Sequence, residues 1–178
     1  DIRLRLITNG QLINEEIAEY FKSFSFNQIQ VTLYSLNEET HDSITNLKGS
    51  CESTKKAIQL MIEKGLPVSL SVPIMKKNRK DYIELYKWGK DIGVISITPN
   101  PFLSYTVDHI KSNENIALTE SEQIEFTKDL IILSKKNDFA LSNSAPKKEL
   151  NSTIFQNTFY SSLTVLPNGN IVPGTLTP

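Results

Sequence analysis

Cysteine is nearly missing from this sequence: Cys51 is the only one in 178 residues. An intramolecular disulfide is excluded, and so is any metal cluster held by several thiolates of these residues alone. A single thiol suits a reducing compartment. An excess of charge of one sign is also lacking. Lys and Arg number 19 against 20 Asp and Glu, so no basic excess directs the chain to nucleic acid. No apolar run approaches the roughly 20 residues of a membrane span. No helical stretch joins a strongly basic face to bulky apolar residues, as a membrane-surface helix does. No signal-peptide pattern stands ahead of the first strand. The expected partners therefore include neither nucleic acid nor membrane, and the expected location is cytoplasmic. What remains is a globular composition, 39% hydrophobic and 22% charged, long enough for one full domain with its own core.

Apolar residues recur with alternating strand and helix periods. Residues 2–9 read as a strand with Ile2, Leu4 and Leu6 on one face and Arg3, Arg5, Ile7 and Asn9 on the other, ended by Gly10. Asn14 is placed to cap the next helix, with Glu15 and Glu16 against its dipole and Ile17, Tyr20, Phe21 and Phe24 on one face. Residues 28–34 alternate Ile29, Val31 and Leu33 with Gln30, Thr32 and Tyr34. Asn37 and Thr40 can each start a short turn. Ser50 is expected to cap a longer helix with the stripe Ala57, Ile58, Met61 and Ile62, closed by Gly65. Residues 67–74 alternate again, Val68, Leu70, Val72 and Ile74 against Ser69, Ser71 and Pro73. A helix over 79–91 follows, burying Tyr82, Leu85, Tyr86 and Trp88, then a strand over 94–98 that runs into Pro99-Asn100-Pro101. Beyond an irregular stretch at 102–117, Thr119 and Glu122 form a capping box for a helix to about Lys136. Residues 161–173 read as a hairpin around Pro167-Asn168-Gly169.

Strand–helix repeats of this length imply parallel strands joined by crossovers, an α/β barrel or an open sheet. Strands buried on both faces read as continuous apolar runs, and these do not. Helices are expected over the apolar faces. The opposite faces offer Arg5, Asn9, Gln30, Thr32, Tyr34, Ser69, Ser71 and Ser96, whereas a filled barrel interior favours branched aliphatics. The polar lining points to an interior that holds a ligand.

The stretch Leu33-Tyr34-Ser35, then Glu38 to Thr45, then Lys48-Gly49-Ser50, resembles the fourth strand–helix unit of radical S-adenosylmethionine (SAM) enzymes. Thr8-Asn9-Gly10 is similar to the end of that family's third strand. The tail over 161–173 is similar to the start of a SPASM-type extension, which marks the peptide-maturase branch. The resemblance implies a partial (β/α) barrel over residues 1–112, a helical connector over 113–155 and the start of a SPASM-like hairpin over 156–178. It implies SAM and a 4Fe–4S cluster as cofactors, and a peptide or protein as the substrate of a 5′-deoxyadenosyl radical. The family's three-cysteine motif and Gly-Gly-Glu segment belong to its first two units, and these residues begin at the third. The chain alone is therefore expected not to cleave SAM. The extension's usual cysteines would fall near Gln156 and at Gly174, and neither is cysteine.

The resemblance assigns cofactor-lining positions residue by residue. The family's Ser-Leu-Asp-Gly corresponds to Thr32-Leu33-Tyr34-Ser35, which puts Thr32 against the ribose and Ser35 beside it. Ser71 falls on the strand that meets the adenine end, and Asn9 at a strand end lining the ligand. Each has a plainer reading: Thr8-Asn9-Gly10 as an ordinary turn, Ser69 and Ser71 as small residues making room. Where relatives often carry Arg, this chain has Thr45. His41 suits local capping better than general-base work, and His109 is expected to be exposed in a loop. Arg3 and Arg5 fit either a carboxylate or a barrel floor. Cys51 opens a helix whose dipole lowers a thiol pKa, yet stands where relatives place a buried aromatic. The alternatives to a radical SAM enzyme are a cluster-less barrel that binds peptides as an accessory protein, and an unrelated α/β barrel fragment.

Overall fold

The computed structural model describes residues 4–101, 115–136, 163–165 and 171–173. Two compact units divide the chain at Phe139 and Ala140. The first unit holds a four-stranded parallel sheet in the order β1 (Leu4–Thr8), β2 (Phe26–Thr32), β3 (Val68–Ile74), β4 (Ser96–Pro101). Strand order follows chain order, and helices connect consecutive strands: α1 (Glu15–Phe21), then α2 (Glu38–Thr45) with α3 (Ser50–Glu63), then α4 (Tyr82–Ile92). A doubly wound sheet reverses its order at a switch point; this one does not, which is the arrangement of a barrel arc. The α/β fold and the partial (β/α) barrel expected from the sequence are what the chain forms.

The register sorts the two faces. Leu6 pairs with Ile29, Ile29 with Val68, Val31 with Leu70, and Leu70 with Ile97. That row is the core: Ile29, Val31 and Val72 are 0% exposed, and Ala18, Ile58, Met61 and Leu85 pack on it from the helices. Gly89 lets α4 lie close to the sheet, since a Cβ there would meet Ile97 at 2.7 Å and Leu70 at 3.2 Å. The other face carries Gln28, Gln30, Thr32, Ser69 and Ser71, as the alternation requires. Its side chains bond from strand to strand: Arg5 to Gln30, Gln28 to Ser69 at 2.7 Å, and Asn100 to Ser71 at 2.7 Å. β3 departs from simple alternation. Ser69 and Ser71 are buried along with the aliphatics, so small size matters there as well as polarity.

Several local expectations change. α1 ends at Phe21, and what it buries is Ala18, while Tyr20 is 64% exposed and Phe24 lies beyond the helix. Thr40 starts no turn; its N–H is capped by the Asn37 side chain at 2.8 Å. The cap of α3 is Gly49 at φ 81°, with Ser50 the first helical residue. α4 begins at Tyr82, three residues later than the apolar spacing suggests, because Asn78 and Asp81 shape the turn before it. β4 continues through Pro99 to Pro101; in the described sheet it is an edge strand, where missing N–H groups are tolerated. α5 (Glu120–Lys136) starts at the capping box read from the sequence: Glu122 accepts from the Thr119 N–H at 2.9 Å and Thr119 Oγ1 from the Glu122 N–H at 3.3 Å. Its Phe126 and Leu133 join the core of the first unit. In the second unit β5 (Leu163–Val165) and β6 (Ile171–Pro173) pair antiparallel, the expected hairpin. Arg3, His109, Gln156, Gly174 and the turn at 167–169 lie outside the described residues.

Candidate functional site

At the carboxyl edge of β1 and β2 lies a cavity of about 430 Å³. Parallel sheets bind ligands at this edge. Asn9 and Gln11 come from the loop after β1, Thr32 from the end of β2 and Tyr34 from the segment just after it. α2 contributes His41 and Thr45, and the first turn of α3 contributes Ser50 and Thr54.

The walls are held by hydrogen bonds that no periodicity in the sequence announces. Gly49 has no side chain to cap α3, so Asp42 does it from the preceding helix. Its Oδ2 accepts from the Gly49 N–H at 2.5 Å, and its Oδ1 from the Cys51 N–H and the Ser50 hydroxyl, both at 2.9 Å. The Cys51 and Gly49 amides, with the Ser50 hydroxyl, hold this carboxyl below its ordinary pKa. Ser50 Oγ in turn lies 2.6 Å from Thr45 Oγ1. On the other wall Gln11 Nε2 donates to the Ser50 carbonyl at 2.9 Å and to Thr54 Oγ1 at 2.8 Å, while the Thr54 hydroxyl donates to the Asn9 carbonyl at 3.1 Å. Gly10, between them, has φ 78°, a conformation that favours glycine.

Of the four positions assigned by resemblance, Asn9 and Thr32 line this cavity; Ser35 and Ser71 are not among its lining residues. Asn9 Oδ1 accepts from the Gln11 N–H at 3.1 Å, which leaves its amide nitrogen to donate. Ser35 is fully buried, donates to Asp81 Oδ2 at 2.6 Å and accepts from the Asn37 N–H at 2.9 Å. Ser71 accepts from Asn100 on the polar face.

His41 is 1% exposed. Its Nδ1 accepts from the Tyr34 N–H at 3.3 Å, and burial lowers its pKa, so it is neutral at pH 7. The His41-Asp42 pair thus ties strand to helix and helix to helix. For Cys51, burial outweighs the helix dipole: the thiol is pushed up to about 11, and its sulfur lies 3.5 Å from the Ser35 carbonyl. Asn78 and Asp81 fasten the far side of β2. Asn78 Nδ2 donates to the carbonyls of Tyr34 at 2.7 Å and Pro73 at 2.9 Å, and its Oδ1 accepts from the Met75 N–H at 2.8 Å.

Residues 1–89, half of the chain, match the Radical SAM superfamily. The chain belongs to that superfamily. An AdoMet-dependent heme synthase of Methanosarcina barkeri is 25% identical to it over 95 residues, covering 53% of this chain and 27% of that protein. The antilisterial bacteriocin subtilosin biosynthesis protein AlbA of Bacillus subtilis is 29% identical over 99 residues, covering 55% and 22%. Among solved structures, Streptococcus suis SuiB bound to SAM superposes with a TM-score of 0.69 at 15% identity, covering 98% of this chain and 43% of that one. The chain spans about a quarter of the length of these curated relatives.

Radical SAM enzymes use SAM with a 4Fe–4S cluster. The chemistry of the cavity fits SAM: its volume is in the range of small-molecule sites, roughly 300–1,000 Å³, and it offers a hydroxyl and an amide at one strand edge. The cluster finds no such fit in these residues. No group of three or more His, Cys, Asp or Glu among the described residues could hold a metal, and the sole thiol is buried and protonated.

Proposed function

We propose that these residues form the SAM-facing part of a radical SAM enzyme that modifies a peptide or protein, with Thr32 bonding the ribose and Asn9 donating to a ligand oxygen beside it. The observation that carries the reading is the joint placement of Asn9 and Thr32 on one cavity at the carboxyl edge of a radical SAM barrel arc. Ser35 acts behind the cavity, holding the end of β2, and Ser71 belongs to the polar face farther along the sheet. The peptide class is supported by the relative named for bacteriocin biosynthesis, and the antiparallel pairing of 163–165 with 171–173 supports reading that stretch as the start of a SPASM-type extension. Residues 1–112 then act as the barrel portion, 113–155 as the connector and 156–178 as the start of that extension. Nucleic acid and membrane have no part in this reading, and a reducing cytoplasm suits it.

Calorimetric titration of the 178-residue chain with SAM tests the site. Thr32→Ala and Asn9→Ala are each expected to weaken binding about tenfold, one hydrogen bond's worth. Wild-type affinity in both variants would refute the placement. A longer polypeptide containing these residues, reconstituted anaerobically, is expected to bind iron and sulfide. Its failure to do so would favour the cluster-less, peptide-binding accessory role.

A further inference from the structure

The residues lining the cavity include Tyr34 but no carboxylate, ammonium or guanidinium group. Its one group that titrates near neutrality, His41, is kept neutral by burial. Two acids bonded to its surroundings are committed elsewhere: Asp42 to the first turn of α3, and Asp81 to the Ser35 hydroxyl. A cationic ligand entering here meets no counter-ion among the lining residues. Tyr34 is the alternative source of negative potential, since an aromatic face attracts a desolvated cation. Its position is fixed on both sides, by its N–H on His41 Nδ1 at 3.3 Å and by its carbonyl under Asn78 Nδ2 at 2.7 Å. Its ring meets the imidazole edge-to-face, with centroids 5.6 Å apart and planes at 70°. A ring already held in place loses little entropy on binding. Tyr34 follows Thr32 by two residues, just past the end of β2, and both line the cavity; in SAM the sulfonium sulfur is bonded to the ribose 5′ carbon. A ribose held at Thr32 therefore brings the cation toward the ring.

We propose that Tyr34 recognises the positive sulfonium of SAM through the face of its ring, an inference that rests on reading the cavity as a SAM site. The residue then determines specificity between the charged cofactor and uncharged nucleosides of the same shape. Titration of the 178-residue chain with SAM and with S-adenosylhomocysteine, which has a neutral thioether at the same place, separates charge recognition from space filling. Tyr34→Leu is expected to lower SAM affinity about 3- to 30-fold more than S-adenosylhomocysteine affinity. Tyr34→Phe, which keeps the ring, is expected to retain the preference. Tyr34→Met serves as a second ring-less variant should Tyr34→Leu fail to fold by circular dichroism. An equal loss for both ligands, or no loss for SAM, would overturn the proposal and leave the SAM site standing. Wild-type chain that binds neither ligand would overturn the reading of the site itself, and the proposal with it.

Discussion

Removing the Asn78 side chain is the sharpest test of how the site is held. Asn78 is 1% exposed and spends its whole amide on backbone: Met75 N–H, Pro73 carbonyl and Tyr34 carbonyl, all at 2.7–2.9 Å. Asn78→Ala leaves those three groups without their side-chain partner. An unsatisfied buried group costs about 1–3 kcal/mol. Carbonyls that relax toward solvent fall at the low end, so the expected loss is about 3 kcal/mol. For a chain of this size that is roughly a 6–12 °C drop in melting temperature. Urea denaturation followed by circular dichroism gives the free energy directly. Asn78→Asp is a second arm: it keeps the shape and one acceptor, but removes both donors and faces two carbonyls with a carboxylate. At pH 7 it is expected to cost at least as much as alanine, and the deficit is expected to shrink on acidification as the acid regains a proton to donate. A loss below about 1 kcal/mol in the alanine variant would show that the bonds do not bear on the fold.

Two further outcomes follow from the same bonding pattern. The Asp42 carboxyl is held below its ordinary pKa by the Cys51 and Gly49 amides and the Ser50 hydroxyl. Its stabilisation is present above the unfolded value of about 3.9 and is lost as pH falls through the lower folded value. Asp42→Asn is expected to melt earlier than wild type at pH 7, with the gap closing below about pH 4; a gap that stays constant down to pH 2 would refute the assignment. Tyr82 has a buried hydroxyl with no partner among the described residues, and burial raises its pKa. Tyr82→Phe is expected to be neutral or to stabilise by about 1 kcal/mol, and destabilisation of that size in thermal melts would mean the hydroxyl is satisfied.

What the sequence made legible was what repeats. Ile29, Val31 and Leu33 alternate, and the sheet buries them on one face; Ala57, Ile58 and Met61 recur at helical spacing, and α3 buries them. Caps whose donor and acceptor lie three residues apart, Asn14 on Ile17 and Thr119 with Glu122, were readable for the same reason. The cavity was half legible: parity gave Thr32 and Asn9 their direction. Gln11, Asp42, Asp81 and Asn78 were missed because each bonds to at least one partner distant in the sequence, Asn78 to Tyr34 as well as to its neighbour Met75. Ser50 followed by a helix reads as a cap, yet the oxygen that caps α3 comes from Asp42, eight residues upstream of Ser50. Tyr20 shows the opposite failure. Its spacing with Ile17 and Phe24 marks an apolar face, but α1 ends at Phe21 and leaves the ring 64% exposed.

The cavity follows from a helix that starts without its own cap. Asn46, at φ 54°, ends α2 in the left-handed region, and Gly49, at φ 81°, opens α3 three residues later. Within this short connection the Ser50 N–H finds the Leu47 carbonyl at 3.2 Å, while the Gly49 and Cys51 amides reach back to Asp42 on α2. The two helices are thereby drawn together at their ends, so that Thr45 and Ser50 face one space. Gln11 closes the opposite wall on the same turn of α3, through the Ser50 carbonyl and Thr54. That approach depends on Gly10, whose added Cβ would sit 3.4 Å from Ala57 and Val31 in a backbone conformation side chains rarely adopt. The rim is therefore one connected network around the start of α3, and substitutions within it should couple rather than add. Asn78 pins Tyr34 from the other side of β2 and touches none of these groups. A ligand in the cavity meets walls already in place, which lowers the ordering cost of binding and allows the weak attraction of one aromatic ring to register as specificity.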